Sequence, residues 1–210
     1  LPQPVGDVAD EACVSDILAR HAVNAVMHFA GSIQVEESVS NPLKYYRNNS
    51  SASRTLIETC VAGGVERFVF SSTAAAYGIP ETVPVDETAR LAPINPYGHS
   101  KVMTEQVLRD TGAATGLNYA ILRYFNVAGA DPAGRTGQAT PEATHLIKVA
   151  CEVATGARPG MKIFGTDYDT PDGTCIRDYI HVTDLADAHV RVLDWLSAGG
   201  RNGTFNCGYG

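Results

Sequence analysis

The sequence contains no apolar run long enough to cross a bilayer, no block of lysines and arginines, and no internal repeat or low-complexity segment. The first absence argues against a membrane span. The second, with a formal net charge of −7, argues against nucleic acid as the main partner. A phosphorylated ligand stays open, because a few local cations or backbone N–H groups suffice to hold one. Paired cysteines are also missing. Cys13, Cys60, Cys151, Cys175 and Cys207 are scattered and odd in number, and none forms a C-x-x-C pair. Free thiols in a reducing cytoplasm are the plain reading. The start, "LPQPVGDVAD", shows neither an initiator methionine nor a signal peptide. It reads like the middle of a longer protein, so targeting information is expected elsewhere.

What is present suits one domain with a small appendage. The chain has 210 residues, and 44% are hydrophobic, enough for a sizeable core and against disorder. Short apolar runs alternate with helical patterns. Strands are expected in Asn24–Gly31, Arg67–Thr73, Leu117–Gly129 and from Gly203 to the end. Helices are expected over Glu11–His21, Pro42–Ala62, Tyr97–Thr111, Pro141–Thr155 and Asp184–Ser197. That alternation indicates βαβ units and a parallel sheet. The fold class is α/β, a Rossmann-like doubly wound parallel sheet, partial in extent, with a small substrate-binding cap. Ligands of such sheets bind outside the carboxyl ends of the strands. Phe29-Ala30-Gly31, Ser71-Ser72-Thr73 and Tyr124-Phe125-Asn126 all fall at strand ends, on one rim. Residues 131–177, rich in glycine and proline and carrying the acidic loop "GTDYDTPDGT", read as an excursion that caps the rim. Residues 1–130 and 178–210 then form the dinucleotide-binding domain.

The stretch "INPYGHSKVMTEQVL" places Tyr97 and Lys101 four residues apart at a helix start. Such residues share a helix face, and Asn95 and Pro96 suit the start itself. A tyrosine of pKa about 10 is a poor base at neutral pH. A neighbouring ammonium favours the phenolate, and the pair can then exchange protons. On spacing alone a Tyr-x-x-x-Lys pair is more often an ordinary surface feature.

The motifs "HFAG", "FSSTAAAYG", "NPYGHSK", "LRYFNVAGA", "IFGTDYDTPDGTCIRDYIHVTDLADAH" and "FNCGYG" stand in the order and spacing of the UDP-glucose 4-epimerases. The chain resembles this family of extended short-chain dehydrogenase/reductases along its whole length. The resemblance implies an NAD-dependent isomerase that interconverts UDP-glucose and UDP-galactose at sugar carbon 4. It implies Tyr97 as catalytic acid/base, Lys101 as its partner and as a contact to the nicotinamide ribose, and Thr73 as the hydroxyl that bonds the oxygen at carbon 4. Asp7 and Val8 match residues near the adenine; Phe29, Ala30, Gly31, Asn48 and Phe125 match further cofactor contacts. Asn126, His145, Leu146 and Arg177 match residues that hold the UDP, and a guanidinium fork suits the diphosphate. In the implied chemistry hydride leaves carbon 4 for NAD and returns to the opposite face of the turned keto-sugar, so NAD is retained. The family also implies a homodimer through helices here expected at Pro42–Ala62 and Tyr97–Thr111; Leu43, Leu56, Ile57, Val107 and Leu108 supply apolar surface on them, open between a partner and the sheet.

The sequence departs from the family in two places. The family's glycine-rich pyrophosphate turn does not occur before Gly6-Asp7, nor does its segment beyond the final "GYG". An internal piece of a longer enzyme is the expectation, and without that turn it should hold dinucleotide poorly. Ala74 and Ala75 stand where nucleotide-sugar dehydratases carry an acid pair, which argues against elimination. The alternatives are an epimerase of a UDP-N-acetylhexosamine or UDP-pentose, such a dehydratase, or a non-catalytic nucleotide-binding protein of the same fold. No metal is expected: Thr183 reads as a helix N-cap with acids in the following turn, and Asp169 and Asp172 as turn residues.

Overall fold

The computed structural model describes residues 4–140 and 143–209. It divides into two compact units, Leu1–Tyr124 with Ala188–Asn206, and Phe125–Asp187 with Cys207–Gly210.

The first unit is built on a sheet in the order β1-β2-β3-β6, with β1 Ala25–His28, β2 Arg67–Ser71, β3 Asn118–Tyr124 and β6 Gly203–Cys207. β1 pairs with β2 and β2 with β3, both in parallel. The central strands read as continuous apolar runs because both faces are covered. Phe68, Phe70, Tyr119 and Ile121 pack on one face with Leu18, Leu56, Ile57, Cys60 and Leu108. These come from α1 (Glu11–His21), α4 (Ala52–Ala62) and α5 (Pro96–Thr115). Val69, Ala120 and Leu122, the alternate residues of the same strands, are equally buried. On that face Ser71 Oγ lies 3.0 Å from Nε2 of His189, which stands on α7 (Val182–Ser197). Helices therefore flank both faces, and the chain is an α/β protein with a doubly wound parallel sheet. Among the described residues no helix is long and apolar enough to cross a membrane.

Local chemistry explains the helix limits. Asp10 caps α1 by accepting from the Cys13 N–H at 3.0 Å. Asn95 caps α5 by accepting from the Gly98 N–H at 2.8 Å, with Pro96 in the first turn, and Gly116 ends it in the left-handed region at φ 78°. This helix starts one residue before the expected range and runs four beyond it.

The expected single helix over Pro42–Ala62 is interrupted. A short helix α2 (Val35–Ser40) precedes α3 (Pro42–Tyr45), and the wider turns of a π-helix at Tyr46–Ser51 join α3 to α4. Of the apolar positions left open between a partner and the sheet, Leu56, Ile57 and Leu108 are core residues at 6%, 1% and 0% exposure, while Leu43 is exposed. The hydrophobic period of a helix cannot say whether its apolar stripe meets a sheet or a partner.

The second unit carries a parallel two-stranded sheet, β4 (Asn126–Ala128) with β5 (Tyr179–His181), and α6 (Leu146–Ala154). Neither strand was expected as a separate element, since three residues are too few to show a period. Residues 141–142, where a helix was expected to begin, lie outside the described residues, as does Gly210 at the end of the last expected strand. Thr183 is not the N-cap of α7 but lies within it. Its N–H donates to Nδ1 of His181 at 3.2 Å, so His181 caps the helix. Asp172 shapes a turn as expected, accepting from the Thr174 N–H at 2.9 Å.

Candidate active site

Three segments of the first unit converge where β1 and β2 end. β1 leads into Phe29-Ala30-Gly31, all exposed. β2 leads into Ser72 and Thr73, and α5 brings Tyr97 and Lys101 from its first two turns. The convergence requires a glycine. A Cβ at Gly98 would stand 2.7 Å from the Ala75 carbonyl oxygen and 2.9 Å from Pro93 Cβ. Only a residue without a side chain lets α5 come this close to the turn that follows β2.

That contact sets Thr73 against Tyr97. Thr73 caps the short 3-10 turn Ala74–Ala76, its Oγ1 accepting from the Ala75 N–H at 3.1 Å. The hydroxyl proton is left over, beside the Tyr97 phenol. Burial pushes the Tyr97 phenol above its ordinary value, and the Thr73 hydrogen bond opposes that rise by favouring the phenolate. Tyr45 packs edge-on against Tyr97 at 6.4 Å between ring centres. Its own phenol is pushed up to about 12 by burial and by Glu37, so it stays neutral.

Lys101 is placed differently from the simplest reading of the spacing. Its Nζ donates to the Ser71 carbonyl at 2.9 Å and lies 4.9 Å from the centre of the Phe70 ring. The ammonium therefore rests on β2, and Lys101 is not a cause of the Tyr97 shift. With only 4% of its surface exposed, Lys101 is lowered to about 8, by burial first, with Glu105 opposing. Its charge in turn helps burial lower His28 to about 4, so His28 is neutral and pairs with Ser53 Oγ at 2.8 Å.

Several residues that hold this arrangement were not singled out in the sequence. Asn49 is buried in the π-helix. Its Nδ2 donates to the Ser32 carbonyl at 3.0 Å and to Ser100 Oγ at 3.0 Å, and its Oδ1 accepts from the Ser32 N–H at 2.8 Å. It ties the loop after β1 to α5. An inserted turn of this kind often marks a functional site, but it has no sequence signature. Glu105 and Arg123 form a buried ion pair against Ser72, with Nη2 to Oε2 at 2.6 Å. The spacing of Glu105 from Lys101 was the available signal.

The remaining expected residues divide between the units. Asp7 and the exposed Asn48 line a shallow groove with Arg47 and Thr55, while Val8 packs against the core. Asn48 donates to Ser32 Oγ at 3.2 Å. At Gly31 a Cβ would stand 3.0 Å from Asn49 Oδ1 and 3.5 Å from Lys101 Nζ. A second depression, lined by Val61, Gly64, Glu66 and Asn118 among others, includes none of the site residues. In the second unit Phe125 is half-buried, and Asn126 Nδ2 donates to the Asp178 carbonyl at 2.8 Å. His145 precedes α6, with Nδ1 2.8 Å from Gln138 Nε2. Leu146 and Arg177 are exposed. No group of residues suited to a metal ion occurs among the described residues.

The profile of the NAD dependent epimerase/dehydratase family matches residues 4–208. The chain is 64% identical over 210 residues to the UDP-glucose 4-epimerase of Azospirillum brasilense, covering 100% of this chain and 60% of that protein. It is 52% identical over 205 residues to the UDP-glucose 4-epimerase of Rhizobium meliloti (strain 1021), covering 98% and 62%. The crystal structure of UDP-glucose 4-epimerase from Brucella ovis in complex with NAD matches with a TM-score of 0.95 at 45% identity, over 98% of this chain and 63% of that one. The chain thus spans about three-fifths of the length of these relatives.

The buried ammonium yields a stability test. Because the folded protein holds Lys101 near 8 and the unfolded chain near 10.5, the unfolded state binds more protons between those values. The cost of the buried charge is fully present below pH 8 and fades as pH rises to 10.5. Chemical denaturation of wild type and Lys101→Met across this window should therefore show the difference moving toward the wild type by about 3 kcal/mol. Curves that stay parallel from pH 8 to 10.5 would contradict a depressed Lys101.

Proposed function

The chain belongs to the NAD dependent epimerase/dehydratase family, and from that premise we propose that it carries the reaction centre of an NAD-dependent UDP-glucose 4-epimerase. The observation that carries this reading is the joint burial of Thr73, Tyr97 and Lys101 where α5 closes on the turn after β2, at the carboxyl ends of parallel strands. The three-alanine turn after Thr73 supplies no acid or base for eliminating water, which favours epimerisation over dehydration.

The residues present suit part of a dinucleotide. Asp7 offers a carboxylate for hydroxyl groups, Arg47 a cation and Asn48 an amide, and Gly31 leaves backbone open beside Lys101. NAD, when bound, supplies a hydride acceptor and donor for sugar carbon 4. The protein's own residues supply the rest. Tyr97 takes the proton from the hydroxyl at carbon 4 and later returns it. Thr73 bonds the oxygen at carbon 4 with its one hydroxyl proton and so orients it. Lys101, with its Nζ beside Gly31, is the contact to the nicotinamide ribose. Phe29, Ala30, Gly31 and Phe125 complete the cofactor contacts in this proposal, with Val8 beside Asp7. Asn126, His145, Leu146 and Arg177 hold the UDP. Firm hold on UDP with loose hold on the sugar lets the keto-sugar turn over. An epimerase acting on a UDP-pentose or UDP-N-acetylhexosamine uses the same centre.

Mass spectrometry of the intact protein for bound NAD, followed by assay on a panel of UDP-sugars, tests the reading; failure to interconvert any of them would overturn it. Tyr97→Phe keeps the ring and removes the base, so activity should fall about 10²–10⁴-fold with the fold intact by circular dichroism. A rate within about threefold of wild type would remove Tyr97 from this role. Arg177→Ala should raise the Michaelis constant for the UDP-sugar, by an amount worth about 1.5–3 kcal/mol, and leave NAD retention unchanged. An unaltered constant would exclude its contact with the diphosphate. We also propose a homodimer through α3, α4 and α5, where Leu43 and Met103 remain exposed. Light scattering at micromolar concentration should give twice the monomer mass, and a monomer would reject it.

A further inference from the structure

The helix that carries Tyr97 and Lys101 bears another buried ionisable side chain one turn farther along. Tyr97, Lys101, Glu105 and Arg109 follow at intervals of four, and Glu105 has no exposed surface. Its carboxylate is held from four directions. Oε1 accepts from Ser72 Oγ at 2.5 Å and Arg123 Nε at 3.0 Å; Oε2 accepts from Arg123 Nη2 at 2.6 Å and Arg109 Nη2 at 2.9 Å. Arg123 is fixed in turn, donating to the Tyr77 hydroxyl at 2.9 Å, which donates to Asn206 Oδ1 at 2.6 Å. The anion can neither rotate away nor reach water. Burial opposes its ionisation, but hydrogen bonds and charge from Arg123, Ser72 and Arg109 hold it below the usual carboxylate range.

We propose that Glu105 is a positioning residue for the reaction centre, its fixed carboxylate being the counter-charge that keeps the buried Lys101 an ammonium. The proposal deepens the epimerase reading and rests on it for its role in turnover. The groups around Lys101 leave few other candidates. Tyr97 and Glu105 share its helix, and the Ser71 carbonyl and Phe70 ring come from β2. His28 on β1 is neutral, and Tyr45 of α3 stands against Tyr97 with its phenol on Glu37, itself paired with Lys44. Arg123 of β3 and Arg109 lie behind Glu105. Glu105 is the carboxylate of this cluster that lies one turn from Lys101 on the same helix, and it holds Ser72, the neighbour of the Ser71 whose carbonyl Lys101 holds. A residue that only ties β3 to α5 would serve as well with its charge cancelled by Arg123, so the two readings differ in what each half of the ion pair does to Lys101.

The chain has four lysines, so the titration of Lys101 can be followed directly by NMR in intact protein carrying ¹³C-labelled lysine, with Lys101→Met giving the assignment. Glu105→Gln should lower the Lys101 midpoint by about one to three pH units, and Arg123→Met should raise it. Midpoints that move together, or not at all, would overturn the proposal and leave a purely structural ion pair. Should Glu105→Gln not fold, the double substitution Glu105→Gln with Arg123→Met removes both buried charges. Its midpoint should still fall below wild type, and an unchanged one would equally overturn the proposal. The alkaline limb of the kcat profile should follow the NMR midpoint in each variant. If the wild type converts no UDP-sugar, the epimerase reading fails, while the NMR midpoints still decide the role of Glu105.

Discussion

One close approach of backbone to backbone governs the chemistry of the site. The first turn of α5 lies against the turn after β2 with no room for even one methyl group at Gly98. Backbone contact at this distance leaves the two segments little freedom to shift, and it brings the Thr73 hydroxyl to the Tyr97 phenol. Asn95 and Pro96 start α5 at the residue that makes this possible, because the cap and the fixed proline φ define where the helix begins. Every later feature of the site depends on that registration. Lys101 reaches the Ser71 carbonyl and Glu105 reaches Ser72 because they lie about one and two turns from Tyr97, and Ser100, on the neighbouring side of the helix, reaches Asn49.

The cluster is expensive to bury. An ammonium at 4% exposure and a carboxylate and guanidinium at 0% and 1% lose their hydration. Mutual attraction offsets that loss only when every donor and acceptor is met. Here they are met: among the described residues no buried side-chain nitrogen or oxygen lacks a hydrogen-bond partner. Well-packed apolar residues would serve stability at least as well in such a place. Fixed charges beside a base do what apolar residues cannot, since they hold the electrostatics in position before any ligand arrives.

The sheet and the π-helix divide the work of support. β2 and β3, buried on both faces, supply a rigid floor and two rim positions. The π-helix adds one residue to the turn between α3 and α4, which carries Asn49 inward to bind the loop after β1 and the side of α5 at once. Asn48, its neighbour, is turned outward into the groove with Asp7. Adjacent asparagines thus have separate tasks.

By itself the sequence determined the alternation of strands and helices, the α/β class, the start of α5 and the shared face of Tyr97 and Lys101. These follow from hydrophobic period, capping residues and intervals of four, which are local properties of the chain. Tertiary structure alone decided the rest. Whether Leu56, Ile57 and Leu108 face a sheet or a partner depends on what packs against them, and they face the sheet. Whether the Lys101 ammonium turns to the phenol or to the strand depends on where the Ser71 carbonyl lies, and it turns to the strand. The break in the helix after Tyr45, the cap at His181 in place of Thr183, and the pairing of β4 with β5 depend on neighbours distant in sequence. So does the partner of Glu105, because Arg123 stands on another element and a carboxylate in the sequence carries no mark of the cation that will meet it.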